Sequence, residues 1–258
     1  MRLAVAGKGG SGKTTFAALA IVYLVKLGYK PVLAIDADPN ANLGEALGLQ
    51  APVTVAGIVG EMAGQGVPAG MSKDEYVKFR VHQALAEGRD IDLLAMGAPE
   101  GPGCYCYANS VLRRCVASLG AAYRCVVLDN EAGLEHFSRR TTGQADALVV
   151  VSDPTVRGLL SAARIAGLVK TLGLGISRSF LVVNRAPAEA CAALRQEIGR
   201  TGLEFLGTVP YDRTVAEYDM AGRPLAELPD AAPAATAVQA IVRTLLKHHA
   251  GQGGIDAW

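Results

Sequence analysis

The sequence has almost no net charge with which to attract a polyanion. Its 258 residues include 25 Lys and Arg against 24 Asp and Glu, which gives a formal net charge of +1. Proteins that bind nucleic acid or anionic lipid by electrostatic attraction carry a marked excess of basic residues. The composition therefore predicts that neither nucleic acid nor a membrane is a main partner.

Long apolar runs and a disulfide framework are also missing. The longest continuous apolar run, Phe16–Val25, is about half of the ~20 residues that a membrane-spanning helix needs. The first apolar run, Leu3–Ala6, is too short for a signal peptide and leads into a glycine loop. Five cysteines, an odd number, do not make a disulfide framework in a chain of this size. We therefore expect a cytoplasmic protein whose thiols are reduced.

Short apolar runs alternate with helical patterns along the chain. The predicted strands are Leu3–Ala6, Val32–Ile35, Ile91–Met96, Cys125–Leu128, Ala147–Val151, Phe180–Val183 and Phe205–Val209. These runs are continuous, as in parallel strands that are covered on both faces. Helical patterns that end near a glycine, a residue suited to a left-handed C-cap, are Thr14–Leu27, Glu75–Ala86 and Ser161–Leu172. The order predicts an α/β fold with a doubly wound, mostly parallel sheet flanked by helices.

The chain shows neither an internal repeat nor a linker long enough to separate domains. Its length suits one large α/β domain with a continuous core. The Ala/Pro-rich segment Ala231–Ala237 leads into a final amphipathic stretch, Val238–Leu246, and Gly251–Trp258 has the composition of a frayed tail. The sequence therefore predicts a single domain over residues 1–250 and a flexible tail over 251–258.

A phosphate-binding loop follows the first predicted strand. The segment Gly7–Thr14 has two glycines separated by four residues, then Lys and Thr, which is the P-loop pattern. Glycines let consecutive backbone N–H groups turn toward phosphate oxygens at the positive end of the next helix. Lys13 is expected to hold the β- and γ-phosphates, and the Thr14 hydroxyl to reach Mg²⁺. The context of a strand before and a helix after the loop makes ATP and Mg²⁺ the predicted ligands.

Lys8 is a second lysine in this loop, and an ordinary P-loop does not need one there. A cation at this position either lies along its own nucleotide, reaches a partner's nucleotide, or is a solvated loop lysine. The string Lys8–Thr14 resembles the loop of the deviant Walker A ATPases, which include the Min and Par partitioning ATPases and the nitrogenase iron protein. The resemblance implies a homodimer that sandwiches nucleotide, in which Lys8 acts across the interface as an arginine-finger equivalent.

Two carboxylate segments follow later strands. In Asp36-Ala-Asp38-Pro-Asn40, the resemblance implies a switch I in which Asp38 orients the attacking water and lies near Mg²⁺, while Asp36 is also suited to helix capping. Asp129 follows the strand Cys125–Leu128, which is the Walker B arrangement for holding Mg²⁺. Gly133 would then give switch II its flexibility. The predicted catalytic residues are Lys8, Lys13 and Asp38.

Two segments that follow late strands, Asn184-Arg185 and Pro210–Asp212, are candidates for contact with the base of the nucleotide. The resemblance implies that Asn184 contacts adenine through its side chain and that the second segment does so mainly through its backbone. Both segments are equally typical of turns. The predicted nucleotide contacts are Gly7, Lys8, Gly9, Gly10, Ser11, Gly12, Lys13, Thr14, Thr15, Asn184, Arg185, Pro210, Tyr211 and Asp212.

A Cys-x-Cys pair, Cys104 and Cys106, lies in a Gly/Pro-rich segment after the third core strand. Two soft thiolates favour Zn, Cu(I), Ni or iron–sulfur ligation, and a closed site usually needs four ligands. A two-fold dimer would supply four if the pair lies at its interface. Alternatively, both thiols are idle. The other three cysteines, Cys115, Cys125 and Cys191, have the surroundings of small core residues.

The cysteine pair also separates subfamilies within the resemblance. The nitrogenase iron protein needs a switch II cysteine, and 131–133 has none. The strings 100–106 and 129–136 resemble the CooC/AcsF group of nickel-inserting accessory ATPases, which implies Ni²⁺ or Zn²⁺ at the interface and carbon monoxide dehydrogenase or acetyl-CoA synthase as client. The alternative is a Min/Par-like positioning switch. Two arginine pairs face either the partner or the nucleotide, or lie on solvated helix faces, which is the default expectation: Arg113, Arg114, Arg139 and Arg140. His248 and His249 either bind metal weakly or lie in an exposed tail, which is the expected reading.

Overall fold

The computed structural model describes residues 1–98, 105–130, 145–187 and 189–250. The strands are β1 (Arg2–Gly7), β2 (Val32–Asp36), β3 (Ala86–Glu87), β4 (Ile91–Ala95), β5 (Cys125–Asp129), β6 (Ala145–Ser152), β7 (Ile176–Asn184) and β8 (Glu204–Val209). The helices are α1 (Lys13–Lys26), α2 (Asn42–Leu47), α3 (Val55–Gln65), α4 (Lys73–Ala84), α5 (Tyr105–Leu119), α6 (Val156–Thr171), α7 (Ala190–Ala193), α8 (Arg195–Arg200), α9 (Arg213–Met220) and α10 (Pro233–Ala250).

The strands form one sheet in the order β3-β4-β2-β5-β1-β6-β7-β8, and every neighbouring pair is parallel except β3–β4. Alternate residues of a strand face opposite layers of helices. On β1, Leu3 and Val5 join the core formed with α1, α2 and α10, whereas Ala4 and Ala6 join the core formed with α6. Burial on both faces explains the continuous apolar runs. The predicted doubly wound α/β fold is confirmed.

The order of the sheet sets the position of the binding edge. Strand β1 lies between β5 and β6, so the chain moves to one side of β1 first and to the other side later. In open α/β sheets, ligands bind at the carboxyl ends of the strands where the strand order reverses in this way. The loop after β1 lies at that point. None of the described helices is long and apolar enough to cross a membrane.

Two of the three predicted helix ends are confirmed. Gly28 and Gly173, just past α1 and α6, have φ angles of 85° and 56°, and their amides donate to carbonyls of the last helical turns. The helix predicted over Glu75–Ala86 is present as α4, but its predicted end, closed by Gly88, is wrong. The helix α4 ends at Ala84, because Ala86 and Glu87 pair antiparallel with β4. Gly88 therefore lies in a hairpin turn, where its amide donates to the carbonyl of Ile91 (3.0 Å).

The C-terminal helix is longer than the sequence indicates. It begins at Pro233, a position where proline is favoured, and ends at Ala250. His248 and His249, expected in an exposed tail, belong to its last turn. The ring of His248 packs against Phe180 with centroids 5.4 Å apart, and its Nε2 lies 3.3 Å from a carboxylate oxygen of Glu204. These contacts fix the helix end against β7 and β8.

Candidate functional site

The phosphate loop joins β1 to α1, and glycine is required at two close approaches. A Cβ on Gly7 would lie 2.2 Å from the carbonyl oxygen of Val151 on β6. Gly12 has a φ of 87°, and a Cβ there would lie 2.1 Å from Nδ2 of Asn184. The loop backbone therefore packs directly against β6 and the end of β7. The helix α1 begins at Lys13, so its positive dipole end faces the loop.

The two lysines of the loop have opposite environments. Lys13 is only 6% exposed, whereas Lys8 is exposed. A buried ammonium group is costly unless an anion compensates its charge, and phosphates bound over the loop would do so. Lys8 is not enclosed by its own chain, so its ammonium group is accessible to another molecule.

Asp36 and Asp129 end the neighbouring parallel strands β2 and β5 and are register partners. Side chains at such positions project to the same face, roughly 5 Å apart. The carboxylate of Asp36 is fully buried and accepts hydrogen bonds from the amides of Asp38 (3.0 Å) and Leu43 (2.8 Å). Because Leu43 lies in the first turn of α2, the helix-capping role considered for Asp36 is present, in addition to its proximity to Asp129.

Burial dominates the electrostatics of this carboxylate pair. Burial raises the pKa of Asp129 to about 7, and the negative charge of Asp36 adds to this rise. A hydrogen bond from Thr14 and the positive charge of Lys13 act in the opposite direction. Burial also raises the pKa of Asp36 to about 6, although its two amide donors act in the opposite direction. Two neighbouring acids that are both hard to ionise form a site that a cation would stabilise.

The chemistry of the residues around the loop fits Mg²⁺ and phosphate. Asp129 is 1% exposed and its Oδ1 has no hydrogen-bond partner; the same is true of Ser11 Oγ, also 1% exposed, in the loop itself. A buried polar atom without a partner costs about 1–3 kcal/mol, which a metal ion or a phosphate oxygen would offset. Carboxylate and hydroxyl oxygens, here from Asp129 and Thr14, are ligands that Mg²⁺ accepts.

Asp38 lies at the same edge in a more open position. It is half-buried, and its Oδ1 accepts hydrogen bonds from the backbone and side-chain amides of Asn40, both at 2.9 Å. The structure thus brings together Lys13, Thr14 and Asp129 directly, with Asp38 at the rim. Thr14 and the next predicted contact, Thr15, also line a cavity of about 740 Å³ beside α2.

The end of β7 braces the phosphate loop. Nδ2 of Asn184 donates to the carbonyl of Ser11 (2.9 Å), and the guanidinium group of Arg185 donates to the carbonyl of Gly10. The sequence did not reveal these contacts, since an Asn-Arg pair after a strand is ordinary turn chemistry. With Nδ2 committed to a carbonyl, the Oδ1 of Asn184 remains as a hydrogen-bond acceptor.

Replacing Asn184 by Asp should weaken Mg-ATP binding about 10- to 100-fold, because a buried carboxylate oxygen would then face the Ser11 carbonyl. Titration with a fluorescent ATP analogue measures this loss. The matched control is Arg185→Ala, which removes an exposed donor to the next carbonyl and should change the affinity less than about threefold. Equal losses in the two variants would contradict a specific role for the buried amide.

In the segment after β8, the side chain of Asp212 has a structural role that the sequence did not predict. Tyr211 is 63% exposed, and Pro210 is half-buried. The carboxylate of Asp212 accepts hydrogen bonds from the amides of Thr214 at the start of α9 and Ala234 at the start of α10, both at 2.9 Å. The Asp212 side chain therefore anchors two helices and is not free to contact a base. The predicted contact of this segment with adenine stays a prediction.

Several predicted features lie outside the described residues: Cys104, Gly133, Arg139, Arg140 and 251–258. Cys106 lies in the first turn of α5, and its side chain is also outside the description. Within the described ranges, no group of three or more His, Cys, Asp or Glu side chains could hold a metal ion. The predicted metal site at the cysteine pair remains a prediction.

The remaining cysteines and the arginines of α5 lie away from the phosphate loop in sequence, and their burial can be compared with the predictions. Cys115 and Cys125 are buried as expected, whereas Cys191 is half-buried on α7 and is not a core residue. Arg113 and Arg114 are both exposed, as a solvated helix face predicts, and Arg114 also forms a surface ion pair with Asp74 at the start of α4 (2.7 Å).

Comparisons with known proteins agree with this geometry. A family model described as the CobQ/CobB/MinD/ParA nucleotide binding domain matches residues 3–225. An uncharacterized ATP-binding protein of Methanocaldococcus jannaschii is 41% identical over 234 residues, which cover 89% of this chain and 92% of that protein. The carbon monoxide dehydrogenase accessory protein CooC of Rhodospirillum rubrum is 33% identical over 235 residues, which cover 86% of this chain and 88% of that protein.

Solved structures share the fold. The MinD cell division protein of Aquifex aeolicus aligns with a TM-score of 0.71, covering 100% of this chain and 99% of that chain. The sequence identity in this alignment is 23%, so the likeness shows the fold alone. The predicted P-loop fold is thereby confirmed.

Proposed function

We propose that this chain, which belongs to the CobQ/CobB/MinD/ParA nucleotide-binding family, is a dimeric ATPase that delivers a nickel or zinc ion to a client enzyme. The observation that carries the ATPase part is the cluster at the start of α1, where the buried Lys13 and the half-buried Thr14 lie near Asp129, one of whose carboxylate oxygens has no hydrogen-bond partner. Metal delivery rests on the Cys104-x-Cys106 motif in a chain that is 33% identical to CooC.

The residues of the loop divide the work of hydrolysis. The backbone of 7–12 and the ammonium group of Lys13 bind the phosphates, and Thr14 with Asp129 would hold Mg²⁺, which supplies charge neutralisation at the phosphates. Asp38, half-buried at the same edge, orients the attacking water. Lys8 of the partner chain stabilises the negative charge that develops on the phosphate in the transition state. The exposure of Lys8 permits this contact between the two chains.

The orientation of Asn184 supports a preference for adenine. Its Nδ2 is held by the Ser11 carbonyl, so the group it offers to a base is the acceptor Oδ1. The exocyclic amino group of adenine is a donor and matches this acceptor, whereas guanine carries a carbonyl oxygen at the same ring position. We therefore expect ATP to be the nucleotide bound.

The metal ion is cargo in this proposal. One chain supplies two thiolates, from Cys104 and Cys106, and a two-fold dimer supplies four, which is the number that a closed soft-metal site needs. CooC is named as an accessory protein of carbon monoxide dehydrogenase. By similarity, the client here is carbon monoxide dehydrogenase or acetyl-CoA synthase, which receives the ion after ATP hydrolysis changes the dimer.

Metal titration of the ATP-bound protein tests the delivery function. The wild-type dimer should take up about one Ni(II) or Zn(II), and the double variant Cys104→Ala/Cys106→Ala should lose this uptake. The matched control is Cys191→Ala, since that thiol is half-buried elsewhere, on α7. Size-exclusion chromatography with metal analysis gives the stoichiometry.

A Min/Par-like positioning switch is the alternative outcome of this titration. If the dimer forms with ATP but binds no stoichiometric metal, or if the double variant binds metal equally well, the cysteines are incidental. ATP-dependent dimerisation would then stand without metal delivery.

A further inference from the structure

The outer face of α6 carries two large apolar side chains that are exposed to water. Val156 is 49% exposed and Leu160 is 53% exposed, and they lie one turn apart on the helix. The opposite face of α6 is buried against the sheet through Leu159, Ile165 and Val169. Single exposed apolar residues are ordinary on a protein surface, whereas two adjacent ones form a patch that loses its contact with water only when another molecule covers it.

Three basic residues surround this apolar pair. At about 3.6 residues per turn, Arg157 and Arg164 lie on one flank of the exposed face and Lys170 lies on the other. All three are exposed, and none forms an ion pair with a residue in the described part of the chain. The helix itself contains no Asp or Glu. In a chain whose charges nearly balance overall, this face is therefore a local positive surface without counterions of its own.

Gly167 lies on the same face, two turns beyond Leu160, and is also exposed. Its backbone is helical, and a Cβ there would meet no described atom within 4 Å, so neither the backbone nor the packing of this chain requires glycine. Glycine in the interior of a helix lowers its stability relative to alanine. What glycine permits is the close approach of another backbone. The face thus combines an apolar centre, a cationic border and a position without a side chain.

We infer that the outer face of α6 is a docking surface for another protein, onto which an acidic amphipathic helix packs. The apolar side chains of that helix cover Val156 and Leu160, its carboxylates pair with the three cations, and its backbone approaches α6 at Gly167. The unpaired positive charge of the face decides the chemistry of the partner. The inference goes beyond nucleotide hydrolysis and metal delivery and depends on neither.

Other occupants fit this face less well. A second copy related by a two-fold axis through the face would bring the cations of the two helices together, with no acidic residue in α6 to compensate them. The phosphates of a nucleic acid would pair with the cations but leave the apolar pair uncovered. A helix that lies on a membrane has a wider apolar face than two side chains provide.

Peptide binding tests the inference, with fluorescence anisotropy as the measurement. The probe is a labelled helical peptide with leucines at heptad spacing flanked by glutamates, compared with the same peptide carrying lysines in place of the glutamates. The glutamate peptide should bind at least about tenfold tighter, and Leu160→Ser should weaken its binding at least about tenfold. The matched control is Phe79→Ser, since Phe79 is 52% exposed on α4. The double variant Arg157→Glu/Arg164→Glu should reverse the preference, so that the lysine peptide binds tighter.

Gly167→Ala should have opposite effects on stability and docking. The free protein should melt about 2–4 °C higher, because alanine is the better helix former. Affinity for the glutamate peptide should fall about fivefold or more, because the added methyl group separates the two backbones. The control is Gly60→Ala on α3, another exposed helical glycine whose Cβ would meet no described atom, which should raise the melting temperature and leave the affinity unchanged.

Three results would overturn the inference. The first is a glutamate peptide that fails to bind or that binds Leu160→Ser as well as wild type. The second is self-association in sedimentation velocity that Leu160→Ser abolishes, which would assign the face to a second copy. The third is binding of phosphatidylglycerol vesicles or duplex DNA that Arg157→Glu/Arg164→Glu abolishes while the peptide does not bind, which would assign the face to a polyanion.

Discussion

Replacing Lys8 by alanine is expected to lower the rate of ATP hydrolysis by at least about 10³-fold, with Mg-ATP affinity unchanged. The reason is the contrast between the two lysines of the loop. Lys13 is buried at the start of α1 and is positioned to bind phosphate in its own chain, whereas Lys8 is exposed. A charge that acts only on the transition state changes the rate without changing substrate affinity. Lys13→Ala, as a comparison, should lose nucleotide binding itself.

Subunit mixing tests whether Lys8 acts across the dimer. Lys8→Ala and Asp38→Ala should each be inactive alone, because each lacks one catalytic group at every site. In a mixed dimer, one site combines the intact Asp38 of one chain with the intact Lys8 of the other. Random mixing should therefore restore about one quarter of the wild-type activity, if the interface is two-fold. A mixture that stays inactive while mixed dimers form would show that Lys8 acts on its own nucleotide.

The parts of the fold that follow from local sequence were predictable. The glycines of the phosphate loop and the apolar run of β1 specify a strand, a turn and a helix start within residues 2–14, and the structure has them there. The prediction failed where a long-range contact overrides local preference. Alanine favours helices, yet Ala86 lies in β3 because it pairs with the edge of β4.

The same limit applies to the site. The sequence identifies Asp36 and Asp129 as acids after strands, but their register partnership depends on β2 and β5 being adjacent. Asn184 and Arg185 are separated from the loop that they brace by more than 170 positions, so no local pattern reports the contact. Residue identities were predictable, and their hydrogen-bond partners were not.

Replacing Asp129 by asparagine should have opposite effects on stability and activity. ATP hydrolysis should fall at least about 100-fold, since the variant loses a Mg²⁺ ligand that contributes several kcal/mol of charge stabilisation. The nucleotide-free protein should become more stable at pH 8 by about 2–4 kcal/mol, because the neutral amide removes a buried charge next to Asp36. In a chain of this size, that gain corresponds to a rise of about 4–16 °C in melting temperature.

The pH dependence of the folding stability shows whether the buried charge of Asp129 causes this gain. Burial raises the pKa of Asp129 from 3.8 to about 7, so the folded wild-type protein holds this proton more tightly than the unfolded chain does. The stability of the nucleotide-free wild type should therefore fall as pH rises from about 4 to 7. The variant should lack this component, and the two proteins should converge near pH 4. Thermal melts across this range measure the difference, with Asp219→Asn on the exposed side of α9 as control. Only the ionised carboxylate of Asp129 carries the desolvation cost that bound Mg²⁺ would offset. If Asp129→Asn were more stable than the wild type by the same amount at pH 4 and at pH 8, the buried charge would not be the cause of the gain.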